Sequence, residues 1–267
     1  MTHDAGVGPA HGPGEVCHAI ATRAAVERMP VVSTPEQGAV ALALPVLDRG
    51  RCTAVSTFWL EQDDANYALE LWRGQAGRAE LMLSGARYGG LDRFAKISQY
   101  VGFPRGAGLP GRAWEQAQPL ILGDLTRNTE FLRSSGAESE GLDAGLGLPV
   151  IDGAQLRGVL LQLSSLACPV ARAMEVWSPG RQGDSLRLFR RQSWSAQGPL
   201  EGDKPLHIPA GDGWIGQAWA TRRPQVASPE RAPNVDRPDL EGLGVSCGLA
   251  HPVIYLDDVR SVVVWLW

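Results

Sequence analysis

The chain has 267 residues, with 25 Lys and Arg against 29 Asp and Glu, for a net charge of −4. Hydrophobic residues make up 44% and charged residues 20%, the composition of a globular chain, and the mildly acidic balance excludes the basic footprint of a nucleic-acid binder. No apolar run approaches the roughly 18 residues of a membrane helix, so the expectation is a cytoplasmic protein with no membrane contact.

Residues 1–13 are rich in Gly, Pro, Ala and His, lack the form of a signal peptide, and read as a disordered tail. Glu15 to Met29 is Ala-rich and helix-favouring, and Pro30 closes it. Val31-Val32-Ser33 reads as a short strand and Thr34-Pro35-Glu36 as a turn. Residues 39–60 form an apolar hairpin around Asp48-Arg49-Gly50, and two more hairpins follow at 146–163 and 249–267. Each carries a Pro-Val step, at Pro45, Pro149 and Pro252. The second strand of each is almost continuously apolar, which suits a strand covered on both faces.

Between the hairpins, 67–73 and 173–178 read as strands ending in Trp, followed by strands at 80–88 and 185–194. Leu91 to Val101 is a candidate helix, matched in the second half only by the polar loop 196–205. Residues 109–117 and 214–222 are short helices, each leading to a strand, 120–122 or 225–227. Thr126 to Gly141 reads as helix plus loop, and 229–242 as its Pro-broken counterpart.

These elements repeat. Gly106-Ala107-Gly108-Leu109-Pro110-Gly111-Arg112-Ala113-Trp114 is echoed by Gly211-Asp212-Gly213-Trp214-Ile215-Gly216-Gln217-Ala218-Trp219, 105 residues on. The same shift pairs Ala68-Leu69-Glu70-Leu71-Trp72 with Ala173-Met174-Glu175-Val176-Trp177. The chain therefore divides into a tail (1–13), a half-unit of helix plus hairpin (14–61), a first full unit (62–168) and a second (169–267). Alternating helices and strands that end in a tight hairpin imply an α+β fold, an antiparallel sheet with helices on its faces. The half-unit is open to two accounts, a decayed third domain or an extra layer over the first full unit.

The run Gly-x-Gly-Leu-Pro-Gly-Arg-Ala-Trp-Glu, then Pro119-Leu120-Ile121-Leu122-Gly123-Asp124-Leu125, then Phe131-x-Arg133, then Gly147-Leu148-Pro149-Val150-Ile151 resembles a GAF domain. The resemblance is clear over 67–165, weaker over 173–267, and confined to a C-terminal half over 14–60. It implies tandem GAF/PAS-like domains, each a six-stranded antiparallel sheet with a ligand pocket under the helices on one face. The bilin, cyclic-nucleotide and sulfoxide-reductase signatures known among GAF domains are absent from the sequence.

The candidate ligand-binding residues are Trp114, Phe131, Arg133, Leu148, Trp219, Arg237 and His251. Trp114 and Trp219 also read as plugs between helix and sheet. Arg133 and Arg237 align, and each either faces an anion or pairs with a carboxylate such as Glu138 or Glu241. His251 stands where the other hairpins carry Leu148 and Leu44, and reads either as a solvated strand end or as a pocket histidine. The Gly-x-Gly-x-x-Gly strings lack the strand–turn–helix context of a dinucleotide site and read as tight turns.

No catalytic constellation, metal cluster or cofactor is indicated. The expected function is a non-enzymatic sensor, signalling or interaction protein acting in trans. Its partner would be a small molecule, a signalling protein or a second copy of the chain. A thiol enzyme of the sulfoxide-reductase type, using Cys247 or Cys168, is one alternative, and a dimerisation module without ligand is another.

Overall fold

The computed structural model describes residues 13–33, 39–61, 66–200, 206–228 and 237–267. The expected tail up to residue 12, the turn at 34–36 and parts of the loops 196–205 and 229–242 fall outside these residues. Among the described residues no helix is long and apolar enough to cross a membrane.

Helix α1 (Pro13–Glu27) starts on a proline, whose fixed φ suits the first turn. It is followed by β1 (Val31–Ser33), β2 (Ala39–Asp48) and β3 (Arg51–Glu61), a three-stranded antiparallel sheet in the order β1-β2-β3. The first full unit contributes β4 (Tyr67–Gly74), β5 (Glu80–Gly89), α2 (Asp92–Ser98), β6 (Gly102–Pro104), α3 (Gly108–Gln116), β7 (Leu120–Leu122), α4 (Ser134–Glu140), β8 (Leu142–Asp152) and β9 (Gln155–Ser165). The second contributes β10 (Ala173–Gln182), β11 (Ser185–Ser195), β12 (His207–Pro209), α5 (Gly213–Thr221), β13 (Gln225–Ala227), a 3₁₀ turn (Pro238–Leu240), β14 (Gly248–Tyr255) and β15 (Asp258–Leu266).

Both full units form six-stranded antiparallel sheets, β6-β5-β4-β9-β8-β7 and β12-β11-β10-β15-β14-β13. This is the α+β, GAF-like architecture that the sequence implies. The long hairpins occupy the middle of each sheet, as their apolar continuity requires. The three-residue strands β6 and β12 were not anticipated. The helix expected over 91–101 is the shorter α2, and of 126–141 only 134–140 is helical.

The Gly-rich strings are turns. Gly106 and Gly211 have φ of 83° and 81°, and Gly108 and Gly213 have φ of 60° and 54°. In each copy the first glycine N–H donates to the carbonyl of the third, Gly106 to Gly111 and Gly211 to Gly216, at 2.9 Å. An added Cβ on Gly111 would meet the Pro104 carbonyl, so the helix start lies directly against the preceding strand.

The half-unit repeats the closing element of a full unit in matching register. Pro45 faces Val55, Pro149 faces Val159, and Pro252 faces Val262. A bulge follows each proline at Val46/Leu47, Val150/Ile151 and Val253/Ile254. The short outer strand begins opposite the residue two before the proline in all three: Val31 with Ala43, Leu120 with Gly147, Gln225 with Ala250.

The half-unit does not simply cover the first full unit; it spans both. The alternation along β2 puts Ala41 and Ala43 against α1 and turns Val40, Leu42, Leu44 and Val46 inward. Val40 meets Tyr67 and Leu69 of the first unit, and Val46 joins the core of the second. Leu42, Leu44 and Phe58 share one cluster with Leu146, Leu148 and Leu160 of the first unit and Val253, Val263 and Trp265 of the second. Phe58 packs edge-on to Trp265 at 5.2 Å. Burying side chains of this size is worth on the order of 1.5–3 kcal/mol each before ordering costs. A chain starting at Gln62 is therefore expected to be insoluble, or to melt at least about 10 °C below the full chain. A melt within a few degrees of the full chain would contradict the spanning role of the half-unit.

Candidate functional site

Strand β4 passes under the helices of the first unit with Ala68, Glu70 and Trp72 on the helix side. Glu70 lies in the middle of this row and is fully buried. A carboxylate placed there is tolerated only with compensating partners. Arg133, just before α4, supplies them: its side chain is 3% exposed, and Nη1 and Nη2 donate to Oε1 and Oε2 of Glu70 at 2.7 and 2.8 Å. Two neutral donors complete the carboxylate. Trp72 Nε1 donates to Oε2 at 2.9 Å, and the Tyr88 hydroxyl donates to Oε1 at 2.8 Å. Burial, reinforced by the Glu70 charge, holds the Tyr88 phenol above its ordinary pKa, so it remains a donor.

The guanidinium stands inside an aromatic cage. Its central carbon lies 4.5 Å from the ring centre of Phe94, 5.4 Å from Trp72, 5.5 Å from Phe103 and 5.7 Å from Phe131. Arg133 Nη1 also donates to Ser98 Oγ at 2.6 Å, and Ser98 donates to the Phe94 carbonyl at 2.8 Å, which ties α2 to the same group. The centre of the first unit is thus a bidentate ion pair walled by aromatic rings.

The second unit builds the equivalent centre from different neighbours. Glu175 is fully buried beside Trp177, whose Nε1 donates to it at 2.8 Å. Arg237 reaches Glu175 through both Nη atoms, and Arg190 donates to it at 3.0 Å. Asp239 holds both arginines in turn, accepting from Arg237 Nε at 2.9 Å and from Arg190. Burial alone would raise the Asp239 carboxyl, but Arg237 and Arg190 outweigh it and hold its pKa below the ordinary value. Burial alone would lower the pKa of Arg237, but Glu175 and Asp239 together outweigh it and raise it.

The sister residues explain the difference. Arg190 faces Trp177 across the ladder where Leu83 faces Trp72 in the first unit. Phe103 is replaced by Ile208 in the matching short strand. With fewer rings, the second unit balances two arginines with two carboxylates instead of caging one.

Phe131 and Arg133 come together in the first centre, and Arg237 lies in the second. Arg133 pairs with Glu70, and Arg237 with Glu175 and Asp239, instead of with Glu138 or Glu241. Trp114 and Trp219 are half-buried plugs on α3 and α5 against the core of each unit. Trp114 also lines a narrow crevice of ≈ 40 Å³ with Arg105, Leu156 and Tyr255. Leu148 faces away from the helices, in the cluster joining the three sheets.

His251 is neither a solvated strand end nor part of a centre under the helices. It is 2% exposed, and its Nδ1 lies 2.9 Å from Ser56 Oγ on the half-unit. Gln162 makes a further polar link between units, accepting from Trp265 Nε1 at 3.1 Å. The sequence reading passed over Glu70 and Glu175. The signal was present: an acidic residue two before a Trp, at the same place in both copies of an otherwise apolar strand.

No protein-family model matches the chain, and a search of characterised protein sequences finds no match. Several solved structures are similar to parts of it. A GAF domain from A. aeolicus in an inactive state shares 19% identity over 38% of this chain and 58% of its own, with a TM-score of 0.30. The GAF domain of a phosphoenolpyruvate-protein phosphotransferase from Coxiella burnetii shares 24% over 38% and 56%, with a TM-score of 0.31. A free methionine-R-sulfoxide reductase from Neisseria meningitidis in complex with its substrate shares 18% over 36% and 51%, with a TM-score of 0.29. The chain spans about half to three-fifths of the length of these structures.

Two outcomes follow from this geometry. Arg133→Met leaves Glu70 buried without its cation and is expected to cost about 3–5 kcal/mol in denaturant unfolding. Combined with Glu70→Leu, the loss should be smaller than for Arg133→Met alone; additive losses would contradict a coupled pair. Burial lowers the pKa of His251 from its ordinary 6.5 to about 4. Above pH 6.5 it is neutral in both states. Below that the unfolded chain takes up a proton that the folded chain refuses, so stability falls from pH 6.5 towards 4, by on the order of 3 kcal/mol. His251→Leu should flatten that slope in melts between pH 7 and 4, and an unchanged slope would contradict the assignment.

Proposed function

We infer that the protein is a non-enzymatic interaction module of GAF-like build that works by engaging a partner protein, not by binding a small molecule under its helices. One observation carries this reading: in both full units the place under the helices is filled by the chain's own ion pairs, Arg133 on Glu70 and Arg237 on Glu175. Each centre is electrically balanced, one arginine with one carboxylate in the first and Arg190 and Arg237 with Glu175 and Asp239 in the second. A ligand entering either centre would have to displace a buried arginine and leave its carboxylate unpaired, at a cost of several kcal/mol.

A thiol enzyme gains no support from the geometry. The four cysteines form no disulfide, and the candidate thiols Cys168 and Cys247 are only partly exposed. Among the described residues no three His, Cys, Asp or Glu gather as a metal site.

Native mass spectrometry of the purified protein tests the reading. The expected result is bare polypeptide of 28.6 kDa or a multiple of it. A small molecule bound in stoichiometric amount, released on denaturation and lost in Arg133→Met or Arg237→Met, would overturn it.

A further inference from the structure

We propose that the crevice between the first and second full units receives an arginine side chain from a partner protein. This rests on the reading that the protein engages such a partner, and it names the place and the chemistry of the contact. The molecule itself shows, at two matching places, what fits there.

The half-unit and the two full units meet head to tail in a ring of matching joints. In each joint a helix gives way to a residue with left-handed backbone, two positions before a proline. These are Arg28 after α1 (φ 53°), Ala117 after α3 (φ 49°) and Arg222 after α5 (φ 58°). Each joint also takes the third residue after the hairpin proline of the neighbouring unit, Asp48, Asp152 or Tyr255, the last one paired before the turn. The half-unit sets Arg28 on Asp152 of the first unit at 3.0 Å. The second unit sets Arg222 on Asp48 of the half-unit at 3.1 Å. Both arginines also donate to the second turn residue of their own hairpin, Arg28 to the Gly50 carbonyl at 2.7 Å and Arg222 to the Asp257 carbonyl.

The joint between the first and second units has the same three positions without the arginine. Ala117 stands for the arginine, Tyr255 for the aspartate and Ala154 for the turn residue, and all three line the crevice of ≈ 40 Å³. That volume takes about three water-sized groups, which matches a guanidinium head. The crevice is thus the counterpart of the space that Arg28 and Arg222 fill in the other two joints.

Its walls suit the same group. Trp114 and Tyr255 supply aromatic surface, which attracts a planar cation, and Glu115 supplies the carboxylate that Tyr255 lacks. The Ala154 carbonyl is the counterpart of the two that accept from Arg28 and Arg222. Arg105 also lines the crevice and carries a like charge. A second guanidinium is compatible with such a slot, since Arg157 donates to the Glu27 carbonyl, next to Arg28, at 3.4 Å. Arginine is favoured over lysine because its fork reaches a carbonyl and a carboxylate together, as Arg222 reaches Asp257 and Asp48.

Titration of the full chain with N-acetyl-arginine amide tests the proposal, read at the Trp114 Nε1–H signal in ¹⁵N–¹H NMR. That signal is identified by its loss in Trp114→Phe. A saturable shift is expected, with the lysine derivative binding several-fold more weakly. No shift with the arginine probe, or equal binding of the lysine one, would overturn the proposal. Ala117→Arg brings the chain's own arginine to the crevice, at a backbone angle that Arg28 and Arg222 already adopt. It should abolish the shift while circular dichroism matches the parent; a folded variant that still binds the probe places the site elsewhere and overturns the proposal. Two exposed positions give an independent reading should that variant fail to fold. Glu115→Gln should weaken binding about two- to five-fold and Arg105→Gln should strengthen it by a similar factor. Unchanged affinity in both would overturn the assignment. Tighter binding of free L-arginine than of the capped probe would give the crevice to a metabolite and overturn the protein partner as the source. Occupancy of the centres under the helices is scored separately, by the mass released on denaturation.

Discussion

Two buried carboxylates, Glu70 and Glu175, set the terms for everything on the helical side of the full units. Each lies on the covered face of a central strand, one turn of the pleat from a tryptophan that donates to it. A charge in that position is costly unless a cation and further donors surround it. Arg133 and Arg237 must therefore come down from the segments before α4 and before the 3₁₀ turn. The placing of the helices and loops follows from that requirement. In the first unit Ser98 links the pair to α2, so four elements converge on one guanidinium. The ion pair adds little net stability over a well-packed apolar core, but it admits only one arrangement of the segments that carry it.

On the opposite faces of the sheets the organising element is the repeated hairpin. The three copies share their Pro–Val pairing and their bulge, and they meet in one apolar cluster. Polar groups in that junction are paired across it: Ser56 with His251, and Gln162 with Trp265. These contacts fix the register of one unit against another in a way that leucines alone do not. The half-unit therefore has the geometry of a third closing hairpin and packs against both of the other units.

Much of the fold was legible because it is written three times. The strands at 120–122 and 225–227 have the expected bounds, and the hairpins sit mid-sheet as their apolar runs require. The short strands β6 and β12 were not legible, since Gly102-Phe103-Pro104 and His207-Ile208-Pro209 are too short for alternation to show and both end in proline. The centres were half legible. Arg133 and Arg237 stood out by alignment, but their partners lie 63 and 62 residues away, and the nearby Glu138 and Glu241 were the local alternatives. Leu148 and His251 share a strand face that alternation alone cannot assign, because both faces of these sheets are covered.

The central claim is that a caged guanidinium fills the first unit. The side-chain ¹⁵N–¹H spectrum of arginine at neutral pH tests it directly, with the Arg133 signals identified by their loss in Arg133→Met. A guanidinium held bidentate by Glu70 among four rings should show separate Hη resonances that exchange slowly with water and are shifted by the ring currents. Hη signals averaged and lost to solvent, as for an arginine on the surface, would contradict the account.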